Sequence, residues 1–381
     1  MDRSQIPFFR SERNLEIGEI TDFIDNEENS LAGPGAISIS VETALKEYLS
    51  TERVFTTPSG TAAIEMAAIL LDIGVGDEVI MPSWTFASTA NAFIMRGAVI
   101  VFADIEPYTL NIDPDKVELA ITARTRCIVT INYAGLPGNL SKLREIANLH
   151  KIYLFEDNAH GLGGSIDNRA LGTFGIMAAL SFHQTKNLQC GEGGALVLND
   201  SEHAARAEIV REKGTNRSQF FRGEVDKYTW QDIGSSYVMS EILAKYLHLN
   251  WRVFDRSQIL RANIWDSYVD ISVQLCNRFE LLFPKTPENC TPAYHVYWLM
   301  FPSAKVTSNF IRHFQENSIG VSRHYVPLHD SPAAKKYGTY TAGSMTNTIA
   351  AGETLVRLPL YSRLSNFETE RILEALDTFK P

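Results

Sequence analysis

The residue with the most to offer chemically is Lys186. It follows the apolar run MAALSF at 177–182 and precedes the glycine-rich reversal GEGG at 191–194, which leads into a second apolar run, ALVL. A lysine held in a crevice at such a strand end loses hydration, its pKa falls, and its free amine can form Schiff bases. The second cluster is Phe155-Glu-Asp-Asn-Ala-His160, directly after IYLF. A carboxylate at the carboxyl end of a parallel strand faces the ligand crevice, so Asp157 could pair with a cationic heterocycle and His160 with a phenolic oxygen. The third is TTPSGTAA at 56–63, which leads from a strand-like end into a good helix pattern. Free amide N–H groups there, a small Gly60 and the hydroxyls of Ser59 and Thr61 make a phosphate cradle. Each cluster has a plainer reading when taken singly: a surface lysine in a hairpin, loop capping by Asp157 beside a surface His160, and an ordinary N-cap at Ser59. Their co-occurrence in order changes the balance.

Together the clusters supply what pyridoxal phosphate (PLP) requires: a helix N-terminus for the phosphate, an acid for the pyridinium nitrogen and a lysine for the aldehyde. An aromatic in SWTFAST, Trp84 or Phe86, could cover the ring face, against a core role for both. The elements that must position these residues read as alternating strands and helices. A helix is expected at 61–72, a strand at 78–81, a helix at 88–95 and a strand at 98–102. A helix at 114–123, a strand at 127–131, a helix at 142–150 and a strand at 152–155 follow. Continuous β-branched runs rather than strict alternation suggest strands covered on both faces, hence a mostly parallel sheet in an α/β domain with helices on both sides. Asp157 and Lys186 are 29 residues apart, enough for two neighbouring strands to deliver both to one ligand.

After Leu198 the pattern changes to a charged and aromatic stretch, TNRSQFFRGEVDKYTW, and then a helix at 240–249. The expected division is a large α/β domain over 1–250 and a smaller α+β domain over 251–381, with strand-like segments at 295–301 and 320–329 and a final helix at 366–379. A length of 381 residues at about 150 per domain agrees with two. The net charge of −10 and the absence of a basic stripe argue against a nucleic-acid partner, which needs Lys and Arg to displace counterions. The opening stretch 1–13 lacks the features of a signal peptide, and no segment approaches the ~20 apolar residues of a membrane helix, so a cytoplasmic protein is expected. Cys127, Cys190, Cys276 and Cys290 are too far apart for CxxC spacing, and no metal site is expected.

The joint order of TPSGTAA, GDEVIMPSWTFASTANA, FEDNAHG, SFHQTKN with GEGGA, and YVPLH with RLPLY resembles the DegT/DnrJ/EryC1/StrS family of sugar aminotransferases over nearly the whole chain. That resemblance implies the PLP-dependent fold type I of aspartate aminotransferase. By it, Lys186 takes the place of the Schiff-base lysine, Asp157 of the pyridine-nitrogen partner, and His160 of the residue beside the ring hydroxyl. Phe86, rather than Trp84, matches the stacking aromatic, and Gly60, Thr61 and Ser181 match phosphate contacts. Many members reach the phosphate from the second subunit with an Asn in a GYNYR-like stretch; this chain reads Gly234-Ser-Ser-Tyr-Val238, with the shorter Ser236 in that place.

Within the family, residues 211–241 look like the subgroup that aminates dTDP-4-dehydro-6-deoxyglucose at C4, with L-glutamate as donor, to give the dideoxygalactose product. The resemblance also implies a homodimer with shared active sites, residues 214–237 contributing across the interface. Arg217, Arg222, Lys227 and Tyr228 are candidate contacts for the nucleotide diphosphate, since guanidinium and ammonium groups suit phosphates, and Arg323 and His329 could approach the sugar or the donor. Alternatives stay open: the equatorial 4-amino product, a 3-keto substrate, a non-catalytic regulatory protein of the same fold, or an NAD-dependent oxidoreductase suggested by Gly161-Leu-Gly-Gly164.

Overall fold

The computed structural model describes residues 4–11 and 17–381; the opening stretch 1–13 therefore lies partly outside the described residues. The strands are, in chain order, β1 (Arg53–Thr57), β2 (Glu78–Pro82), β3 (Val99–Ala103), β4 (Thr125–Ile131), β5 (Tyr153–Asp157), the two-residue pieces β6 (Ser165–Ile166) and β7 (Arg169–Ala170), β8 (Met177–Ser181), β9 (Gly194–Leu198), β10 (Cys290–Thr291), β11 (Tyr297–Met300), β12 (Tyr340–Thr341) and β13 (Leu355–Leu358). Eight of them form one sheet in the order β1-β9-β8-β5-β4-β2-β3-β12. Only β9 runs against its neighbours β8 and β1; the other pairings are parallel.

Both faces are apolar, as the unbroken hydrophobic runs require. On one face Val79, Met81, Phe102, Val129 and Phe155 pack with Ala63, Met66 and Ala67 of the helix Gly60–Leu70. On the other, Ile80, Val101, Ile128 and Leu154 meet Val117 of Pro114–Ala120 and Leu143 and Ile146 of Leu140–His150. Because side chains alternate across a strand, neighbours such as Val79 and Ile80 serve opposite faces. The parallel strands end on one edge, and there β1 gives way to Ser59, β2 to Phe86, β5 ends on Asp157 and β8 on Ser181.

Two helices, Ile17–Asp25 and Ala36–Leu49, precede the first expected strand. Past Trp251 the long helix Phe254–Cys276 packs against Asn366–Thr378 and the antiparallel pair β11–β13, around Trp265, Tyr268, Tyr297, Phe310 and Leu376. The last helix is held by a capping box between Ser365 and Glu368. Ile6 bridges Ile319, and β12 adds to the β3 edge of the large sheet. No helix among the described residues is long and apolar enough to cross a membrane.

Most boundaries shift by one or two residues from the sequence reading, and three segments differ for a visible reason. The 61–72 helix begins at Gly60 and stops at Leu70, because Asp72 turns into the left-handed region at φ 51° while its N–H bonds Ile69. The helix expected to reach 123 ends at Ala120, where Ile121 is extended and Thr122 is tied to Thr125. The 320–329 segment is no strand: Ser322 alone bridges Arg357, Tyr325 has a positive φ of 39°, and Leu328–Asp330 is a 3₁₀ turn.

Candidate active site

The edge where the parallel strands end opens into a cavity of about 580 Å³, within the ordinary range for a small-molecule site. At one wall is the Gly60–Leu70 helix. Ser59 caps it, its Oγ accepting from the Ala62 amide at 3.1 Å. The Gly60 and Thr61 amides in the first turn have no carbonyl a turn behind them. The approach is too close for side chains: a Cβ on Gly60 would come within 3.0 Å of the Ser181 Cβ, and one on Gly194 within 2.4 Å of the Gly60 nitrogen. Thr61 Oγ1 and Ser88 Oγ share a hydrogen bond of 2.7 Å, so the wall presents hydroxyls and amides together. Phe86, at the start of the helix Ala87–Ile94, is 63% exposed and lines the cavity, whereas Trp84 is buried against Tyr133 and Tyr325.

Asp157, the last residue of β5, is 5% exposed. Its Oδ2 accepts from Thr89 Oγ1 at 2.7 Å, and Thr89 is in turn bonded to Thr85 at 2.9 Å. Among the described residues its Oδ1 has only a 3.3 Å bond from the Ala159 amide. Burial pushes this carboxyl above its ordinary value, against the opposing pull of the Thr89 bond and the Lys186 charge. The neighbouring Glu156 faces the other way and is saturated, accepting from the amides of Gly172, Phe174 and Gly175 at 2.9, 2.6 and 2.8 Å and from Asn132. That anchor fixes the end of β5 and so the aim of Asp157.

Lys186 rides on the long β8–β9 reversal, closed by Phe182 N to Gly193 O at 2.7 Å and Gln184 N to Gly191 O at 2.8 Å. It is half-buried and lines the cavity. Desolvation is the main cause that brings its pKa down to about 8; Arg357 pushes the same way and Asp157 opposes. Asn187 next to it donates to Gln258 at 3.1 Å and to the Ala293 carbonyl, and accepts from His295 Nδ1 at 2.8 Å.

His160 is stacked among aromatic neighbours, 4.4 Å from the His295 ring, 6.0 Å from His324 and 5.8 Å from Tyr133. Tyr133 Oη is hydrogen-bonded to His324 Nδ1 at 2.8 Å, and His324 stacks on Tyr325 at 3.7 Å. Burial drives all three imidazoles well below their ordinary pKa, with Lys186 and Arg357 adding to it, so they are neutral near pH 7. The Ala134 amide donates to His160 Nδ1 at 3.4 Å. In the neutral ring the proton is then on Nε2, a donor.

Comparison with known proteins decides what this arrangement belongs to. The model of the DegT/DnrJ/EryC1/StrS aminotransferase family matches residues 11–377. The chain belongs to that family. It is 30% identical over 376 residues to the spore coat polysaccharide biosynthesis protein SpsC of Bacillus subtilis, covering 95% of this chain and 93% of that one. The aminotransferase TlmJ of Streptoalloteichus hindustanus superposes with a TM-score of 0.87 at 27% identity, over 97% of both chains. Spr1654 of Streptococcus pneumoniae, assigned as a sugar aminotransferase and solved in its PLP form, shares the fold at a TM-score of 0.87, with 24% identity and 98% of each chain covered.

A member of the DegT/DnrJ/EryC1/StrS family is a PLP-dependent sugar aminotransferase, and the residues present fit that cofactor. The cradle at Gly60 is one that a single Cβ would fill. Asp157 is a buried carboxylate raised by desolvation and short of partners on Oδ1, as suits a group awaiting a cation. The cavity also gathers Ser59, Thr61, Phe86, His160, Ser181 and Lys186. The dinucleotide alternative fails on geometry: Gly161–Gly164 lie in turns with no helix behind them to take a pyrophosphate.

The expected substrate contacts are elsewhere in the single chain. Arg217 pairs with Glu212 at 2.9 Å, and Arg222 pairs with Glu208 and Glu224 at 2.7 and 2.6 Å. Lys227, Tyr228 and Ser236 are exposed, none of them lining the cavity. Arg323 turns to the Glu353 carbonyl at 2.9 Å, and His329 to Ser83 at 2.7 Å. Their neighbours His324 and Tyr325 line the cavity instead, as do His295 and Arg357. None of these four had been singled out as a site residue. The available signal for Arg357 was a lone charge within the apolar strand LVRL.

Proposed function

We propose that this aminotransferase moves the amino group of L-glutamate to C4 of dTDP-4-dehydro-6-deoxy-D-glucose, giving dTDP-4-amino-4,6-dideoxy-D-galactose and 2-oxoglutarate, in the cytoplasm, for a surface polysaccharide of the enterobacterial common antigen type. The observation that carries the reaction class is the meeting of Lys186 and Asp157 in one cavity, from the ends of β8 and β5, beside a helix N-terminus. The substrate rests on the 211–241 stretch and on the relationship to a polysaccharide biosynthesis protein.

When bound, PLP supplies an aldehyde to carry nitrogen and a ring that accepts an electron pair. Ser59, Gly60, Thr61 and Ser181 would hold the phosphate with amides and hydroxyls. Phe86 would lie against the ring, and Asp157, fixed by Thr89, would pair with the ring nitrogen. His160 would donate from Nε2 to the ring oxygen. Lys186 Nζ would take the proton from the donor's α-carbon as general base and give it up again to the cofactor as general acid. With the keto sugar in place of the keto acid, the same residues work in the opposite order. Lysine, rather than histidine, at this position suits amino transfer over the dehydration found elsewhere in the family.

In this reading residues 1–250 hold the cofactor and 251–381 form a smaller domain that brings His324 and Arg357 to it. The chain acts as a homodimer whose partner supplies Ser236 and the basic residues of 214–237. The exposed Phe221, Tyr228 and Trp230 on that segment support this, since an apolar patch rimmed by charges suits a subunit interface. Sedimentation equilibrium of the purified protein should give a two-chain particle, and a persistent monomer that is fully active would remove the shared-site reading.

The substrate is tested by incubating the enzyme with glutamate and dTDP-4-dehydro-6-deoxyglucose and assigning the product by NMR. An axial amine at C4 is the expected result. A 3-amino sugar, an equatorial 4-amine or no amination would each overturn the proposed specificity.

A further inference from the structure

The strand that leads into the phosphate cradle, β1, is held by a buried ion pair outside the cavity. Glu42, on the helix Ala36–Leu49, and Arg211, the last residue of the helix Ala204–Arg211, are 7% and 4% exposed and pair at 2.7 Å. One carboxylate oxygen, Glu42 Oε1, gathers three donors: the Thr56 amide at 2.9 Å, the Thr56 hydroxyl at 2.8 Å and Arg211 Nη2 at 2.7 Å. Nη2 also donates to the Thr56 hydroxyl at 3.1 Å, which closes a triangle, and the guanidinium carbon lies 5.3 Å from the centre of the Phe55 ring. Taking both charges out of water is costly, and apolar side chains of similar volume often serve stability as well or better. What the pair provides beyond packing is a fixed point between two parts of the chain that bear on the cofactor.

The first part is the cradle. Thr56 and Thr57 face Ala195 and Gly194 across the β1–β9 pairing, and Thr57 Oγ1 donates to the Ser59 carbonyl at 2.8 Å. Gly194 is the residue whose Cβ would strike the Gly60 nitrogen, so a displacement of Thr56 has no slack to absorb it before it reaches the Gly60 and Thr61 amides. The second part is the charged segment that follows Arg211. The Arg211 carbonyl accepts from the Tyr237 amide at 3.0 Å, Val210 O accepts from Ser235 N at 3.2 Å, and Lys213 N donates to Ser235 O at 2.9 Å. Glu212 bridges Ser236 at the same place, and a Cβ on Gly234 would come within 2.3 Å of the Gly214 nitrogen. Residues 212–236 are therefore a loop with a tightly closed neck, and Arg211 is at that neck. We propose that Glu42 and Arg211 are positioning residues that fix the phosphate strand of one cavity and the loop offered to the partner's cavity against each other, so that each pair serves both sites of the dimer. The half that concerns the partner rests on the shared-site reading above.

The test uses mixed dimers, purified through two different tags, in which one chain carries Lys186→Ala so that a single lysine-bearing cavity remains. Arg211→Lys, which keeps the charge but loses the planar fork, is placed either on the lysine-bearing chain or on its partner. PLP dissociation is followed by the absorbance of the lysine-bound cofactor, and turnover is measured at saturating PLP. In both arrangements the dissociation constant should rise about 10- to 100-fold, the scale expected when a binding group is displaced by about 1 Å, while turnover at saturating PLP falls by less than about threefold. Glu42→Gln, which leaves an oxygen for Thr56 but no charge for Arg211, should act in both arrangements as well, and it decides the matter should Arg211→Lys fail to fold. A purely structural role would lower the melting temperature and leave the cavity of the unaltered chain untouched. An unchanged constant with either variant on the lysine-bearing chain would overturn the proposal. So would an unchanged constant with the variants on the partner chain while Ser236→Ala placed there weakens PLP binding. Should Ser236→Ala on the partner chain be equally silent, the shared-site reading is what fails, and the pair is judged by its own cavity.

Discussion

Replacing Lys186 with alanine is expected to lower turnover at least about 10³-fold, within the range of 10²–10⁴ for a positioned general acid–base and larger because attachment of the cofactor is lost as well. Borohydride reduction should fix the cofactor to the wild-type chain and leave the variant unlabelled, which mass spectrometry reads directly. The pH dependence follows from the same side chain. Burial and Arg357 bring its pKa down to about 8, so below that pH the ammonium form predominates and cannot take a proton. The rate of the glutamate half-reaction limited by the free amine should therefore climb about tenfold per pH unit below this region and level off above it. His160, His295 and His324, already neutral, add no limb near pH 7. A Lys186→Ala protein with normal turnover would end the assignment.

Lys186 and Asp157 could be found in the sequence because their positions follow from local rules. An apolar run of five or six residues followed by a polar residue marks a strand end, and in a parallel sheet the carboxyl ends share one edge. Ser59, Phe86, Asp157 and Ser181 all line one cavity. The far wall follows no such rule. In Ser322-Arg-His-Tyr-Val-Pro-Leu-His329 an extended reading leaves the inward-facing residues undetermined, and Arg323 and His329 were the candidates. Tyr325 at φ 39° breaks the alternation, so that His324 and Tyr325 line the cavity while Arg323 caps the carbonyl of Glu353. Non-glycine residues rarely adopt that conformation, and nothing local announces it. Thr89 was equally hidden, since it is 68 residues from the carboxylate it holds and is placed there by the packing of two separate elements. Partner choice over such distances is a property of the folded chain rather than of any window of sequence.

Asp157→Asn is the complementary experiment, because it removes charge while preserving shape. The amide is the same size, and Thr89 Oγ1 can still donate to its oxygen as it now does at 2.7 Å. The NH₂ group then faces the cavity, donor against the ring N–H donor. Removing one member of a buried charge pair costs about 3–5 kcal/mol, which corresponds to a fall in rate of between about 10²- and 10⁴-fold. Two observations separate this from a disturbed fold. The variant should keep the wild-type melting temperature without cofactor or exceed it, since burial alone raises the Asp157 pKa and the charged carboxylate is not stabilising its empty site. A cofactor analogue methylated on the ring nitrogen carries its positive charge permanently and should recover part of the lost rate in the Asn variant. The wild-type enzyme should gain nothing from the analogue. Full activity of Asp157→Asn with ordinary PLP, or no recovery with the analogue, would mean that the electron-accepting ring is not kept protonated by Asp157. The buried Thr85-Thr89-Asp157 chain would then be only a strut between the Ala87–Ile94 helix and β5.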